Sequence, residues 1–176
     1  MGLITSRPVS QRLGASLILG VALASLSGCS VPVDAVAGLS MTEDGRLLGV
    51  VMVCGHHIDG GTLYVDNADV DKQVTVGEWT ADRPLGPGLS TWTLDTPAEG
   101  WATTTALTPL SDRTTYTFYG WTKANSWSAR PVSFTLAERN RLAPGTVLYD
   151  TISDSGDEST VTVSMADFTA KACHRT

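Results

Sequence analysis

Gly55-His56-His57-Ile58-Asp59 brings imidazole and carboxylate groups together within five residues. Those side chains are ligands for zinc or copper. On an extended chain, neighbouring side chains point to opposite faces, so His56 and His57 do not share one ion, and His174 reaches them only through the tertiary fold. The stretch reads as a polar loop. Asn67, Asp69 and Asp71, with Glu78 eleven residues after Asn67, carry part of the oxygen-ligand spacing of a calcium loop. Lys72 stands where such a loop needs Gly, and strand-like residues flank it. Asp154, Asp157 and Glu158 read as a solvated acidic loop. Ser, His and Asp all occur, but no G-x-S-x-G or similar setting presents a nucleophile. The expectation is no catalytic residue, no metal site and no cofactor, hence a protein that is not an enzyme.

The aromatic residues carry more. If Tyr116, Phe118 and Gly120 face a core, strand parity turns Thr115, Thr117, Tyr119 and Trp121 outward. Trp127 follows in a loop, near Lys123 and Arg130. Rigid rings beside cations are the residue types that anchor partners. Tyr119, Trp121, Trp127 and Arg130 are thus the candidate partner surface, for an envelope protein or a glycan. Trp79, Trp92 and Trp101 are interleaved with strand residues and are assigned to core or inter-strand packing.

The elements that must position these residues are strands. Beyond residue 30 no helical period persists. Short runs of apolar residues and Thr recur instead between Gly, Pro, Asp and Asn. The expected strands are Ala37–Thr42, Arg46–Cys54, Gly61–Asp66, Gln73–Trp79, Leu89–Leu94, Trp101–Leu107, Thr114–Thr122, Pro131–Thr135, Thr146–Asp150 and Ser159–Ser164. The fold class is all-β, an antiparallel β-sandwich.

Composition fits one domain: 176 residues, 42% hydrophobic, 17% charged, net charge −6. The acidic balance excludes a nucleic-acid partner, which needs a basic face. The start of the chain is an address. Arg7 and Arg12 stand without acids before the fourteen-residue uncharged run Leu13–Leu26. At 1.5 Å per residue that run spans about 21 Å, short of a bilayer core, and reads as a secretory signal. Leu26-Ser27-Gly28-Cys29 resembles the lipobox of bacterial lipoproteins. The resemblance implies cleavage after Gly28 and lipidation of Cys29. Two or three acyl chains, at about 0.8 kcal/mol per buried CH₂, hold a protein on a membrane. The implied plan is a signal peptide 1–28, a lipidated tether 29–36 and an ectodomain 37–176, with a C-terminal extension from 136. Loss of residues 1–28 removes two arginines and no acid, taking the charge to −8. The implied location is the extracytoplasmic side of the cell membrane, held by the lipid. With Cys29 lipidated, Cys54 and Cys173 are an even pair in an oxidising compartment and are expected to bond.

A second resemblance concerns the ectodomain. Leu110, Thr114, Tyr116, Phe118 and Gly120 are spaced like the E–F corner and F strand of a fibronectin type III or immunoglobulin-like domain. Asn125, Ser128 and Pro131 follow in matching places, and Gly60 with Tyr64-Val65 resembles the B–C turn and C strand. Asp112 stands where the family has Pro, and Val53-Cys54 where strand B has Trp. The resemblance implies that the Tyr116 hydroxyl bonds back to the backbone near Leu110.

Residues beyond 136 exceed that template. Thr135-x-x-Glu138 reads as a capping box before a helix Leu136–Leu142, stopped by Pro144-Gly145. A hairpin across 154–157 and a helix capped by Ser164 and running through Cys173 complete the chain. Leu47, Leu48, Val50, Val51, Met52 and Val53 are apolar on both faces of their strand, so something must cover the outer face. The Cys54–Cys173 bond would bring the C-terminal helix there, with Phe168 as the packing residue. The function read from these features is a lipid-anchored envelope lipoprotein acting as a binding or structural module. The alternatives are a solute- or metal-binding lipoprotein and a small envelope hydrolase.

Overall fold

The structure is a computed structural model, and it describes residues 30–67, 69, 72–153 and 155–175. The expected signal segment, Cys29, Asp71 and Asp154 lie outside the described residues. The fold is that of the unit Val31–Thr176.

Eleven strands are joined in one curled, mixed sheet. They are β1 (Val33–Met41), β2 (Leu47–Val53), β3 (Ile58–Val65), β4 (Val74–Leu85), β5 (Gly88–Thr93), β6 (Trp101–Thr105), β7 (Thr115–Trp121), β8 (Ser128–Arg130), β9 (Val132–Thr135), β10 (Thr146–Ile152) and β11 (Glu158–Ser164). Two short helices, α1 (Leu136–Arg139) and α2 (Met165–Lys171), follow β9 and β11, and α2 tightens into a 3₁₀ turn over Ala172–Arg175. The expected all-β class holds. The expectation of a wholly antiparallel sheet does not, because β1 runs parallel to β8.

β1 is the strand around which the sheet turns. Along one edge it pairs with β2 from Ala35↔Val53 to Met41↔Leu47. Along the other it pairs first with β8, Val36↔Arg130, and then with β10, Gly38↔Tyr149. It begins at Val33, earlier than the expected Ala37, so part of the expected tether 29–36 is sheet. Ala35 and Val36 are fully buried. The partner that orders this start, β8, lies far along the chain, so no local pattern marks it.

The main core lies inside the curl. Leu39, Val51 and Trp92 from β1, β2 and β5 meet Leu63, Trp79 and Phe118 from β3, β4 and β7. The Trp92 and Phe118 rings are 5.7 Å apart, and a Cβ on Gly49 or on Gly61 would lie 3.0 Å from Phe118. Glycine at both positions lets the two halves approach closely. Trp79 and Trp92 are core residues, as expected, and half-buried Trp101 stacks on Trp92 at 3.8 Å. The Ser111 N–H donates to the Tyr116 hydroxyl at 2.7 Å, one residue past Leu110. That bond ties the corner before β7 to the core.

The second core lies on the outer face of β1 and β2, where the sequence demanded a cover. Val36 and Val50 pack there with Val147, Tyr149, Phe168 and Ala172. The cover is the hairpin β10–β11 with α2, and the Cys54–Cys173 disulfide closes it. Both helix caps form. The Thr135 hydroxyl and the Glu138 carboxylate satisfy each other's backbone N–H groups, and the Ser164 hydroxyl accepts the Asp167 N–H. α1 stops at Arg139, short of Leu142, because the next bonds are i→i+3: Arg141 N–H to Glu138 O and Leu142 N–H to Arg139 O.

Candidate functional site

The four residues of the expected partner surface fall in three settings. Tyr119 and Trp121 share the outward face of β7, and β3 places Thr62 opposite Tyr119 and Gly60 opposite Trp121. Tyr64 joins them, its ring edge-on to Tyr119 with centroids 5.8 Å apart. The floor beneath is hydroxyl-bearing: Thr62 and Thr117 are buried, and the Thr117 and Ser133 hydroxyls lie 2.9 Å apart. The Trp121 indole N–H donates to Thr62 Oγ1 at 2.8 Å, which fixes the plane of its ring. A Cβ on Gly60 would collide with the Trp79 carbonyl oxygen and the Trp121 ring, so the ring lies flat against bare backbone. The result is a strip of three half-buried rings on a threonine floor. The pairing of Tyr64 with Tyr119 depends on the β3–β7 register, which no local spacing shows.

Burial is the main cause that raises the phenols of Tyr64 and Tyr119 above the ordinary value, with neighbouring acids acting in the same direction. The folded state thus favours the protonated rings. Their contribution to stability is fully present below the ordinary value near 10 and is lost as pH rises through the elevated folded-state values. The urea midpoint is expected to fall between pH 9 and pH 11. In a variant carrying Tyr64→Phe and Tyr119→Phe that fall is expected to shrink; an unchanged fall would show that other groups cause it.

Trp127 belongs to the second setting, at the end of the domain where the chain enters. Its ring stacks on His56, with centroids 3.7 Å apart. Both the His56 backbone N–H and its Nδ1 are held by the Asp34 carboxylate, the ring nitrogen at 2.7 Å. The turn that carries Trp127 is built on Thr122. Its buried hydroxyl accepts the N–H groups of Ser126 at 2.9 Å and Trp127 at 3.1 Å, and Asn125 takes φ 51°. Asp59, only 6% exposed, accepts the Lys123 N–H at 2.8 Å, and His57 Nε2 lies 3.7 Å from the same oxygen. The two adjacent histidines therefore meet different carboxylates, as their opposite directions required. Asp34 and His56 have the geometry of an oriented base, but among the described residues no Ser, Thr or Cys side chain is hydrogen-bonded to His56. Nor does any group of three or more His, Cys, Asp or Glu side chains converge among the described residues. Here the pair works as a brace that holds the Trp127 turn against β1 and the β2–β3 connection.

Arg130 ends β8, the strand between β1 and β7 that pairs with β7 at Trp121↔Ser128. It pairs with Val36 and lies with the C-terminal cover, lining a cavity shared with Lys171 and His174. Neither Lys171 nor His174 could be joined to Arg130 from spacing alone. Among the described residues no helix is long and apolar enough to cross a membrane. Comparison with family models, with curated proteins and with solved structures finds no match for this chain.

Proposed function

We propose that this chain is a lipid-anchored protein of the bacterial cell envelope, facing the extracytoplasmic side, whose domain serves as a binding or structural module. The observation that carries the reading is the pairing of Cys54 with Cys173, which leaves Cys29, at the end of the lipobox-like segment, as the only other cysteine of the chain. A bonded pair of this kind belongs to an oxidising compartment. The domain reads as a fibronectin type III or immunoglobulin-like sandwich, extended by the C-terminal hairpin and helix. The Tyr116–Ser111 bond supports that reading, as do the facing inner residues of the two halves of the sheet.

The membrane is one partner, through the lipid on Cys29. The strip Tyr64–Tyr119–Trp121 is the face for the other, an envelope protein or a glycan. Its rings are immobilised before any partner arrives, by the Trp121–Thr62 bond and the edge-on tyrosines. Pre-ordering of this kind lowers the entropy lost on binding.

The test is the intact mass of the native protein from its host's membrane fraction, with and without reductant. The expected species is the chain 29–176 carrying a diacylglycerol, heavier by two hydrogen atoms after reduction. A full-length, unlipidated chain in the cytosol would overturn the reading.

A further inference from the structure

The strip of rings lies within a wider field of oxygen groups. One row of the outward face runs from Tyr119 on β7 through Thr62 on β3 to Glu78 on β4, each residue directly opposite the next. Side chains opposite one another in neighbouring strands share a face, so the Glu78 carboxylate belongs to the same surface as the rings. Glu78 is half-buried there. One row on, towards Trp121, the Thr80 and Thr104 hydroxyls lie 3.2 Å apart. Along the strands, Trp121 stands opposite Gly60 and Tyr64 opposite Thr117, four residues apart, which is about 13 Å.

We propose that this face binds a neutral glycan chain, laid along β3 and β7 with its sugar rings on Trp121 and the two tyrosines. The inference rests on the reading of the strip as the partner face and names the class of partner. The Trp121 ring lies over Gly60 and its N–H is taken by Thr62 Oγ1, so what it offers is a fixed, half-buried plane. The faces of aromatic rings carry negative charge density, which attracts the C–H groups of a sugar ring stacked on them. An aromatic anchor for a protein works differently: it enters a pocket on the partner. A ring pressed flat against backbone cannot do that.

The polar groups select within glycans. Threonine hydroxyls both donate and accept, as sugar hydroxyls do, and the Glu78 carboxylate accepts from two neighbouring hydroxyls with the added strength of its charge. The same carboxylate repels an anionic polysaccharide, and so does the net charge of −6 on the chain. Tyr64 and Tyr119, edge-on to each other, form a corner at the far end from Trp121, which suits a chain whose successive rings are turned rather than coplanar.

The test uses the full chain with Cys29→Ser, so that no acyl chain contributes. Its mobility is followed in native gels containing hydroxyethyl cellulose, mannan or amylopectin, which are neutral, or alginate, which is anionic. Retardation by at least one neutral polymer is expected, and calorimetry with oligosaccharides of that polymer gives the affinity. Trp121→Ala and Glu78→Gln are each expected to weaken it about tenfold, the size of losing one ring stack or one charge-assisted bond. Leu89→Ala, which trims an exposed side chain on β5, is expected to leave it unaltered. Thermal midpoints show whether each variant is folded, and Glu78→Gln, which keeps the shape of the side chain, carries the test should Trp121→Ala unfold. Retardation by alginate alone, by none of the four polymers, or equally in all three variants overturns the inference. Should no polymer retard the chain while Trp121→Ala abolishes its crosslinking to a protein of the host envelope, the glycan falls and the strip remains the partner face. Should the native mass carry no acyl chain while the glycan still binds, the anchor falls and the site stands.

Discussion

Replacing Cys54 and Cys173 together by Ser is expected to lower the unfolding free energy by roughly 4–5 kcal/mol, because the bond closes a loop whose ends are 119 residues apart. For a domain of this size that is a fall in thermal midpoint of about 10–15 °C. The effect is large because of where the bond sits. Cys54 directly follows β2, its N–H held by Asp34 O at 2.9 Å, and Cys173 lies in the 3₁₀ turn Ala172–Arg175. Without the bond, that turn is held by the few apolar contacts of α2. Calorimetry of the oxidised protein and the double variant measures the difference. A change below about 1 kcal/mol would mean that those contacts suffice alone.

Phe168→Ala is expected to cost about 3–5 kcal/mol, the usual range for emptying a fully buried aromatic position. The ring lies edge-on to Tyr149 at 5.0 Å and fills the space over Val36 and Val50. The loss is expected to be local first. Amide exchange should rise across Met165–Lys171 while β3 and β7 stay protected. Urea titrations of the cysteine variant, of Phe168→Ala and of the two combined are expected to differ from additivity by about 1 kcal/mol or more, since both changes release the same helix. Strict additivity would show that the disulfide and the ring act on separate parts of the fold.

Much of this arrangement was legible in the residues, and the reason is local. Strand parity in 115–121 separated Tyr116 and Phe118 from Tyr119 and Trp121 because a period of two leaves no choice. The capping residues Thr135 and Ser164 signalled their helices through side-chain bonds that span only three residues. Even the cover over β2 was legible, because Val50 and Met52 are too apolar to face water. The rest was set at long range. The early start of β1 depends on β8, the ring of Tyr64 finds Tyr119 through the β3–β7 register, and His56 meets Trp127 across two connections. Arg130 sits on β8, which lies between β1 and β7 and pairs with β7 at Trp121↔Ser128. Its pairing with Val36 and its place beside the C-terminal cover come from long-range register, which spacing does not show.

The double partnership of β1 also has a temporal meaning. Its neighbours β8 and β10 are among the later strands of the chain; Ser40 donates to Thr146 O across 106 residues, and the disulfide spans 119. During synthesis β1 thus has only β2 for company until β8 and β10 have followed. Contacts at such separations make folding slow and leave early segments open. The fold therefore closes only when the C-terminal hairpin and α2 arrive to lock β1 and β2.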